Sequence, residues 1–206
     1  MKKSPCIPLV FAFLLPALPG HAAEHEWIPY RKLVDIVKVD KFDALPPAER
    51  DKVILYAKLV PVNKAISPLD AGGRARMVLN KQWLADDAQI WASLPKGEKM
   101  RMGFDLGAVL PETTQWRYAT VMGAIPHTNA AIGKVAGMLS LFVPTMKSVI
   151  FKFDKPVQLT IKTAAGDKRY ASDARNHLKL KLDEDLLKEN PMMEWSARPL
   201  EAEIDD

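Results

Sequence analysis

The chain has very little cysteine: its one thiol is Cys6, close to the amino terminus. Lys2 and Lys3 precede an apolar run of about 12 residues (7–18), and small residues follow, which is the order typical of a secretory signal peptide. We therefore expect a signal peptide at 1–22, ending at Ala22. Its removal takes Cys6 with it, so we expect no disulfide, thiol nucleophile or thiolate metal site in the mature protein.

Long apolar runs are also missing beyond residue 22. The best later candidate, 136–143, is cut short by Pro144, whereas a membrane-spanning helix needs roughly 20 apolar residues. The sequence thus predicts a protein that is not integral to a membrane. Export without disulfides favours a periplasmic or secreted location in bacteria.

The chain also lacks a strong excess of one charge. It has 29 Lys/Arg and 25 Asp/Glu, and the loss of Lys2 and Lys3 leaves 27 against 25, which predicts no nucleic-acid partner. However, nine basic and three acidic residues lie in 145–182, and two basic and nine acidic residues lie in 183–206. Either the acidic end folds back beside the basic strands, or the strands from Lys147 to Lys181 present a basic face to an anionic envelope lipid or polysaccharide.

Histidine pairs with the spacing of a metal site are absent, and no cofactor is expected from internal residues. One conditional alternative exists at the amino terminus. Cleavage after Ala22 would leave Ala23-Glu24-His25, whose amine, two amides and imidazole can bind Cu(II) or Ni(II) in a square plane. Cleavage after Ala23 would remove this site.

Catalytic motifs are likewise missing: there is no Gly-x-Ser-x-Gly elbow and no phosphate-binding glycine loop. Asp86, Asp87, Glu98, Asp183 and Asp185 are the carboxylates from which a hydrolase acting on the cell envelope could draw an acid/base pair. The adjacent pair Asp86 and Asp87 is more typical of a turn, and the group at 183–185 is more typical of a helix start.

Two stretches of the chain resemble each other at an offset of 78 to 84 residues. In each stretch a helix is followed by an apolar strand, by alternating strands and by a strand that carries a tryptophan. This tryptophan is Trp116 in the first stretch and Trp195 in the second. This predicts two tandem sandwich-like β repeats of roughly 80 residues, 43–122 and 123–206, after an N-terminal extension at 23–42. One fused sheet is the alternative, and in both cases the fold is mainly β with short helices.

Local signals place several elements. Pro46-Pro47 predicts a helix start at 47, and Thr128 is a candidate N-cap for a helix over 129–136. Alternation predicts strands around 149–153, 157–161 and 178–182, with a hairpin turn at 165–167. We also expect a helix over 184–189, capped by Asp183, and then one strand from Met193 to Ile204.

Tryptophan is comparatively abundant. Trp116 and Trp195 hold matching repeat positions and are predicted core anchors. Trp83 and Trp91 flank a turn, and they are the candidate ligand-binding residues, because exposed aromatic rings stack on sugars or grip a partner. We therefore expect an exported, non-catalytic binding or interaction protein with an envelope partner or ligand. An envelope hydrolase and a copper- or nickel-binding protein are the alternatives.

Overall fold

The computed structural model describes residues 24–61, 74–93, 100–136 and 144–206. The strands in these residues are β1 (Glu24–Pro29), β2 (Val53–Pro61), β3 (Arg74–Arg76), β4 (Gln89–Ser93), β5 (Met100–Ala108), β6 (Gln115–Arg117), β7 (Ser148–Lys152), β8 (Gln158–Thr163), β9 (Gly166–Ala171), β10 (His177–Lys181), β11 (Met192–Trp195) and β12 (Glu201–Asp205). The helices are α1 (Tyr30–Val37), α2 (Val39–Asp43), α3 (Pro47–Arg50), α4 (Lys81–Ala85), α5 (Tyr118–Met122), α6 (Ala124–Ala136) and α7 (Glu184–Glu189).

The strands form three sheets, and the helices are short, so the mainly β class is confirmed. One sheet is the pair β1-β4, the large sheet has the order β10-β7-β12-β5-β2-β3, and the four-stranded sheet has the order β6-β11-β8-β9. The strand pairs whose register is resolved are antiparallel.

The chain divides into two compact units. The first consists of the described residues up to Asp43 and of Ala57–Phe104, and the second of Ala44–Tyr56 and Asp105–Asp206. In the first unit, β1 pairs with β4 and leads into the amphipathic helix α1. Leu33, Val34 and Val37 of that helix are buried, because spacings of three and four residues share one helix face.

The core of the second unit comes from strict alternation. Val149 and Phe151 of β7 are fully buried, and so are Leu159 and Ile161 of β8. Successive side chains of a strand point to opposite faces, so one face of each strand enters the core. Phe151 lies 4.7 Å from Trp195 of β11, centroid to centroid, which joins the large sheet to the four-stranded sheet. The alternation predicted from the sequence is confirmed.

Helix α7 begins and ends where the sequence predicts. Asp183 accepts hydrogen bonds from the backbone N–H groups of Asp185 and Leu186, and Asn190 ends the helix in the left-handed conformation at φ 52°. The predicted hairpin is present between β8 and β9, but its turn is Ala164-Ala165 and not 165–167. Gly166 begins β9 at φ 117°, a conformation that favours glycine.

Two local predictions are wrong. The segment from Met193 to Ile204 is not one strand: it bends at 196–200 around the buried Pro199, and its halves, β11 and β12, join different sheets. Thr128 is not an N-cap either, because α6 begins at Ala124 and Thr128 is buried inside it. The side chain of Thr128 is of a type that can cap a helix, but the helix already begins four residues earlier, at Ala124.

The structure does not confirm two separate sandwiches. Strands from both predicted repeats share a sheet: Gly107 of β5 pairs with Glu203 of β12, and Trp116 of β6 pairs with Met193 of β11. The described strands form three sheets, so the alternative of one fused sheet is not confirmed either. The boundaries at 43–122 and 123–206 stay a prediction.

Candidate binding cleft

Trp83 has a structural partner in the first unit. Its ring meets the ring of Tyr30 edge-on, with centroids 5.6 Å apart and planes at 88°. The Tyr30 hydroxyl donates to the Val78 carbonyl and accepts from the Asn80 N–H, and Asn80 caps helix α4 through the Trp83 N–H. The half-buried Trp83 therefore packs α4 against α1. The side chain of Trp91, on β4, lies outside the described residues, so a ligand role for the two tryptophans stays a prediction.

The amino-terminal metal prediction meets a competing interaction. Ala22 and Ala23, between which the predicted cleavage falls, lie outside the described residues, so the cleavage position stays a prediction. Glu24 and His25 pair with β4, opposite Ser93 and Ala92. The N–H groups of adjacent strand residues point alternately toward and away from the partner strand. One of the two amides that a square-planar Cu(II) or Ni(II) site needs therefore faces β4, and metal binding would require this end of β1 to leave its partner.

The carboxylates named for hydrolysis have local roles. Asp86 accepts a hydrogen bond from the Gln82 side-chain amide. Asp87 Oδ1 lies 3.7 Å from Arg31 Nε. Asp183 caps α7, and Asp185 is almost fully exposed. Glu98 lies outside the described residues. None of these described interactions resembles the facing acid pair that glycoside hydrolysis uses.

The acidic carboxyl terminus folds beside the basic strands. β12 lies between β7 and β5, and its Glu203 accepts a 2.6 Å hydrogen bond from Lys152. Lys179 of β10 likewise binds Asp205. Lys162 lies 2.8 Å from Glu194. Much of the basic stretch is thus neutralised internally, as the first of the two charge interpretations predicts.

A cleft remains open on one side of the second unit, between β9 and β10. β9 ends the four-stranded sheet and β10 ends the large sheet among the described strands. The cleft has a volume of about 470 Å³ and is lined by Tyr170, Lys179, Leu180, Lys181, Leu182, Asp183 and Leu186. Leu180 and Leu186 are buried, and Tyr170 is half-buried. An apolar floor and one aromatic ring therefore lie beneath a charged rim.

One wall of the cleft is fixed by a buried tyrosine. The Tyr118 hydroxyl donates to the Lys181 carbonyl and accepts from the Asp183 N–H. Burial raises the pKa of Tyr118 to about 12, because the charged phenolate would lose its hydration. The neutral hydroxyl thus holds the end of β10 against the start of α7 at all ordinary pH values.

Asp183 is the acidic member of the rim. The Leu186 and Asp185 N–H groups donate to it, and Lys168 of β9 lies 3.6 Å away; together they lower the pKa of this carboxyl from its ordinary value. The Lys168–Asp183 pair spans the mouth between β9 and α7. Lys181 adds a rim cation for which the described residues supply no ion-pair partner.

Tyr170 and Leu186 were not singled out by sequence reasoning. β9 is exposed along almost its whole length, so its composition is typical of a solvated hairpin arm. The available signal was the position of Tyr170 in the strand pair. Tyr170 lies opposite the buried Leu159, so both side chains lie on the same face of the sheet. Recognising it required knowing that β9 lies at a sheet edge.

No cluster of three or more His, Cys, Asp or Glu residues is placed to hold a metal ion within the described ranges. The helices of the same ranges are all too short or too polar to cross a bilayer. The chain matches none of the protein families, curated proteins or solved structures with which it was compared.

Proposed function

We propose that this chain is an exported, non-catalytic binding protein whose ligand occupies the cleft between β9 and β10. The observation that carries the proposal is the cleft itself, which combines an apolar floor, the Tyr170 ring and the rim cation Lys181 in one concavity. Ligand sites are concave and mainly apolar, with a few polar groups that orient the ligand. The amino-terminal signal pattern supports export, to the periplasm or the exterior.

The lining defines the chemistry of the ligand. Leu180 and Leu186 favour an apolar group, and Tyr170 favours a flat or aliphatic surface against its ring. Lys181 favours an anion, since its own ammonium group has no ion-pair partner in the described part of the chain. The ligand is thus an amphipathic molecule or segment with at least one negative charge.

A fluorescent anionic probe tests this site. We expect 1-anilinonaphthalene-8-sulfonate to bind the folded protein saturably, with one dominant site. Tyr170→Ala and Lys181→Gln should each weaken its affinity about fivefold, because each removes roughly 1 kcal/mol of contact. Lys155→Gln is the matched control, since Lys155 is exposed and does not line the cleft.

The result separates the cleft from general surface binding. If all three variants bind the probe as the parent does, the cleft is not the site and the proposal fails. Circular dichroism and thermal melting of each variant ensure that a loss of affinity is not a loss of folding.

We also propose that residues 43–122 and 123–206 arose by duplication of one stretch of sequence. Trp116 and Trp195, which match in the repeat alignment, stack on each other in adjacent strands, as expected when two copies fuse around a shared seam. The counterpart strands do not occupy equivalent sheets, since β3 and β5 share the large sheet whereas β8 and β10 do not. The proposal therefore concerns the origin of the two stretches and not two equivalent folds.

A further inference from the structure

The outer edge of β10 has backbone groups that no described strand uses. β10 pairs with β7 in a register that sets Leu178 opposite Phe151 and Leu180 opposite Val149. The Leu182 N–H donates to the Lys147 carbonyl, and the Phe153 N–H donates to the Asn176 carbonyl. Because hydrogen-bonding direction alternates along an antiparallel strand, the even-numbered residues face β7 and the odd-numbered residues face the open edge.

Both ends of this open edge are already occupied. At one end the His177 N–H donates to the Asp173 carboxylate, and the His177 carbonyl accepts from the Asp173 N–H. At the other end the Lys181 carbonyl accepts from Tyr118. Between them lie the Lys179 N–H, the Lys179 carbonyl and the Lys181 N–H, for which the described residues provide no partner. They border the cleft directly.

We propose that the occupant of the cleft is an extended polypeptide segment with alternating apolar and acidic side chains, added as a further strand along β10. This inference rests on the proposed function and names its ligand. Unfilled N–H and carbonyl groups at a sheet edge are what such an added strand requires, and neighbouring pockets then select its alternate side chains.

The alternation follows from the two faces of β10. A residue of the added strand opposite Leu180 shares its face, and its side chain enters the apolar cleft against Leu186 and Tyr170. Residues opposite Lys179 and Lys181 share the outer face, where acidic side chains form favourable cross-strand pairs. Lys179 binds Asp205 in the same sheet, so Lys181 gives the stronger charge selection.

The charge of the mouth agrees with this choice. Lys168 of β9 lies on the same face of the strand as Tyr170, because two positions separate them. Asp183 offsets the charge of Lys168, and Asp205 offsets that of Lys179, so Lys181 leaves the mouth with a net positive charge among the described residues. An incoming acidic segment is therefore attracted, whereas a basic segment is repelled.

A labelled peptide provides the probe. We expect a fluorescein-labelled octapeptide of alternating valine and glutamate to bind the full chain and to displace 1-anilinonaphthalene-8-sulfonate. The same octapeptide with lysine in place of glutamate should bind about tenfold more weakly or not at all. N-methylation at residues of one parity should abolish binding, and N-methylation at the other parity should not, since only one set of N–H groups faces β10.

A proline substitution in β10 distinguishes the contribution of the backbone to binding from that of the side chain. Lys179→Pro removes an N–H that faces away from β7, a position that an edge strand tolerates, and its ring blocks the added strand. We expect Lys179→Pro to weaken peptide affinity about tenfold more than Lys179→Gln, which loses the same charge but keeps the N–H. Melting curves verify that both variants are folded.

The outcomes distinguish this inference from the proposed function. If the anionic probe binds the cleft but the octapeptide does not displace it, or if both N-methyl series bind equally, the strand proposal is wrong and the cleft remains a site for another ligand. If neither Tyr170→Ala nor Lys181→Gln changes the affinity of the probe, both proposals fail together.

Discussion

Trp116 and Trp195 stack in the core of the second unit, with ring centroids 5.6 Å apart and planes inclined by 29°. Trp116 lies opposite Met193 on the neighbouring strand, so the two indoles form a diagonal pair on one face of the four-stranded sheet. Trp195 also contacts Phe151 and Phe153. It is therefore the ring that connects the four-stranded sheet to the large sheet.

Removing either ring should destabilise the second unit strongly. We expect Trp195→Ala to lower the free energy of unfolding by about 4 kcal/mol, and Trp116→Ala by somewhat less, because large buried rings leave large cavities. Urea unfolding followed by circular dichroism measures both. Equal, small losses would show that Trp195 does not connect the sheets.

The indole nitrogens provide a milder variant. Both Nε1 atoms are buried without a hydrogen-bond partner in the described residues. Trp116→Phe keeps an aromatic ring and removes the buried N–H, so its cost should be only about 1–2 kcal/mol. A loss as large as that of Trp116→Ala would mean that the N–H has a partner.

The sequence predicted this core better than it predicted the cleft. Alternation in β7 and β8 and the cap at Asp183 are local signals, and each determined its element correctly. The cleft depends on which strands become edges. β12, from the chain end, inserts between β7 and β5 and leaves β10 outermost. No local pattern carries that long-range choice, and the same pairing explains why the strand predicted from Met193 to Ile204 divides between two sheets.

Tyr118 should make stability depend on pH in the alkaline range. Its pKa is about 12 in the folded protein and near 10 in the unfolded chain. The unfolded state therefore loses the proton first, so this contribution is fully present below pH 10 and is lost as the pH rises to 12. The maximum loss is about 2–3 kcal/mol.

Tyr118→Phe isolates that contribution. At pH 8 the variant should be less stable by about 1–2 kcal/mol, because the Asp183 N–H and the Lys181 carbonyl lose their partner. The difference between the parent and the variant should shrink as the pH rises above 10. A constant difference from pH 8 to pH 11.5, in urea titrations, would contradict the assignment.

Gly107 should tolerate a side chain poorly, because a Cβ atom there would overlap the ring of Tyr56. A Cβ atom at Gly107 would lie 2.8 Å from Tyr56 Cε2 and 3.2 Å from the Ala202 carbonyl oxygen. We expect Gly107→Ala to cost about 1–3 kcal/mol through forced displacement of the ring. Gly103→Ala, on the same strand, is the control: nothing lies within 4 Å of its Cβ, so its effect on thermal unfolding should be near zero or stabilising.

Asp183 should stabilise α7 mainly through its cap. Asp183→Ala should cost about 1 kcal/mol at pH 7, whereas Asp183→Asn should cost much less, because its side-chain oxygen still accepts from the helix N–H groups. The pKa of Asp183 is lowered from 3.8. Its charge-dependent contribution is therefore present above that value and is lost as the pH falls through the folded-state pKa. Urea titrations at pH 7 and pH 3 should show the parent and Asp183→Asn converging at the lower pH.

The central claim is that the cleft between β9 and β10 binds a ligand, and amide chemical-shift mapping tests it most directly. A titration of the ¹⁵N-labelled protein with 1-anilinonaphthalene-8-sulfonate should move the amide resonances of 168–171 and 179–186 in a saturable manner. Resonances of 74–86, in the first unit, should stay in place. Shifts confined to other residues, or no saturable shifts in either range around the cleft, would contradict the account.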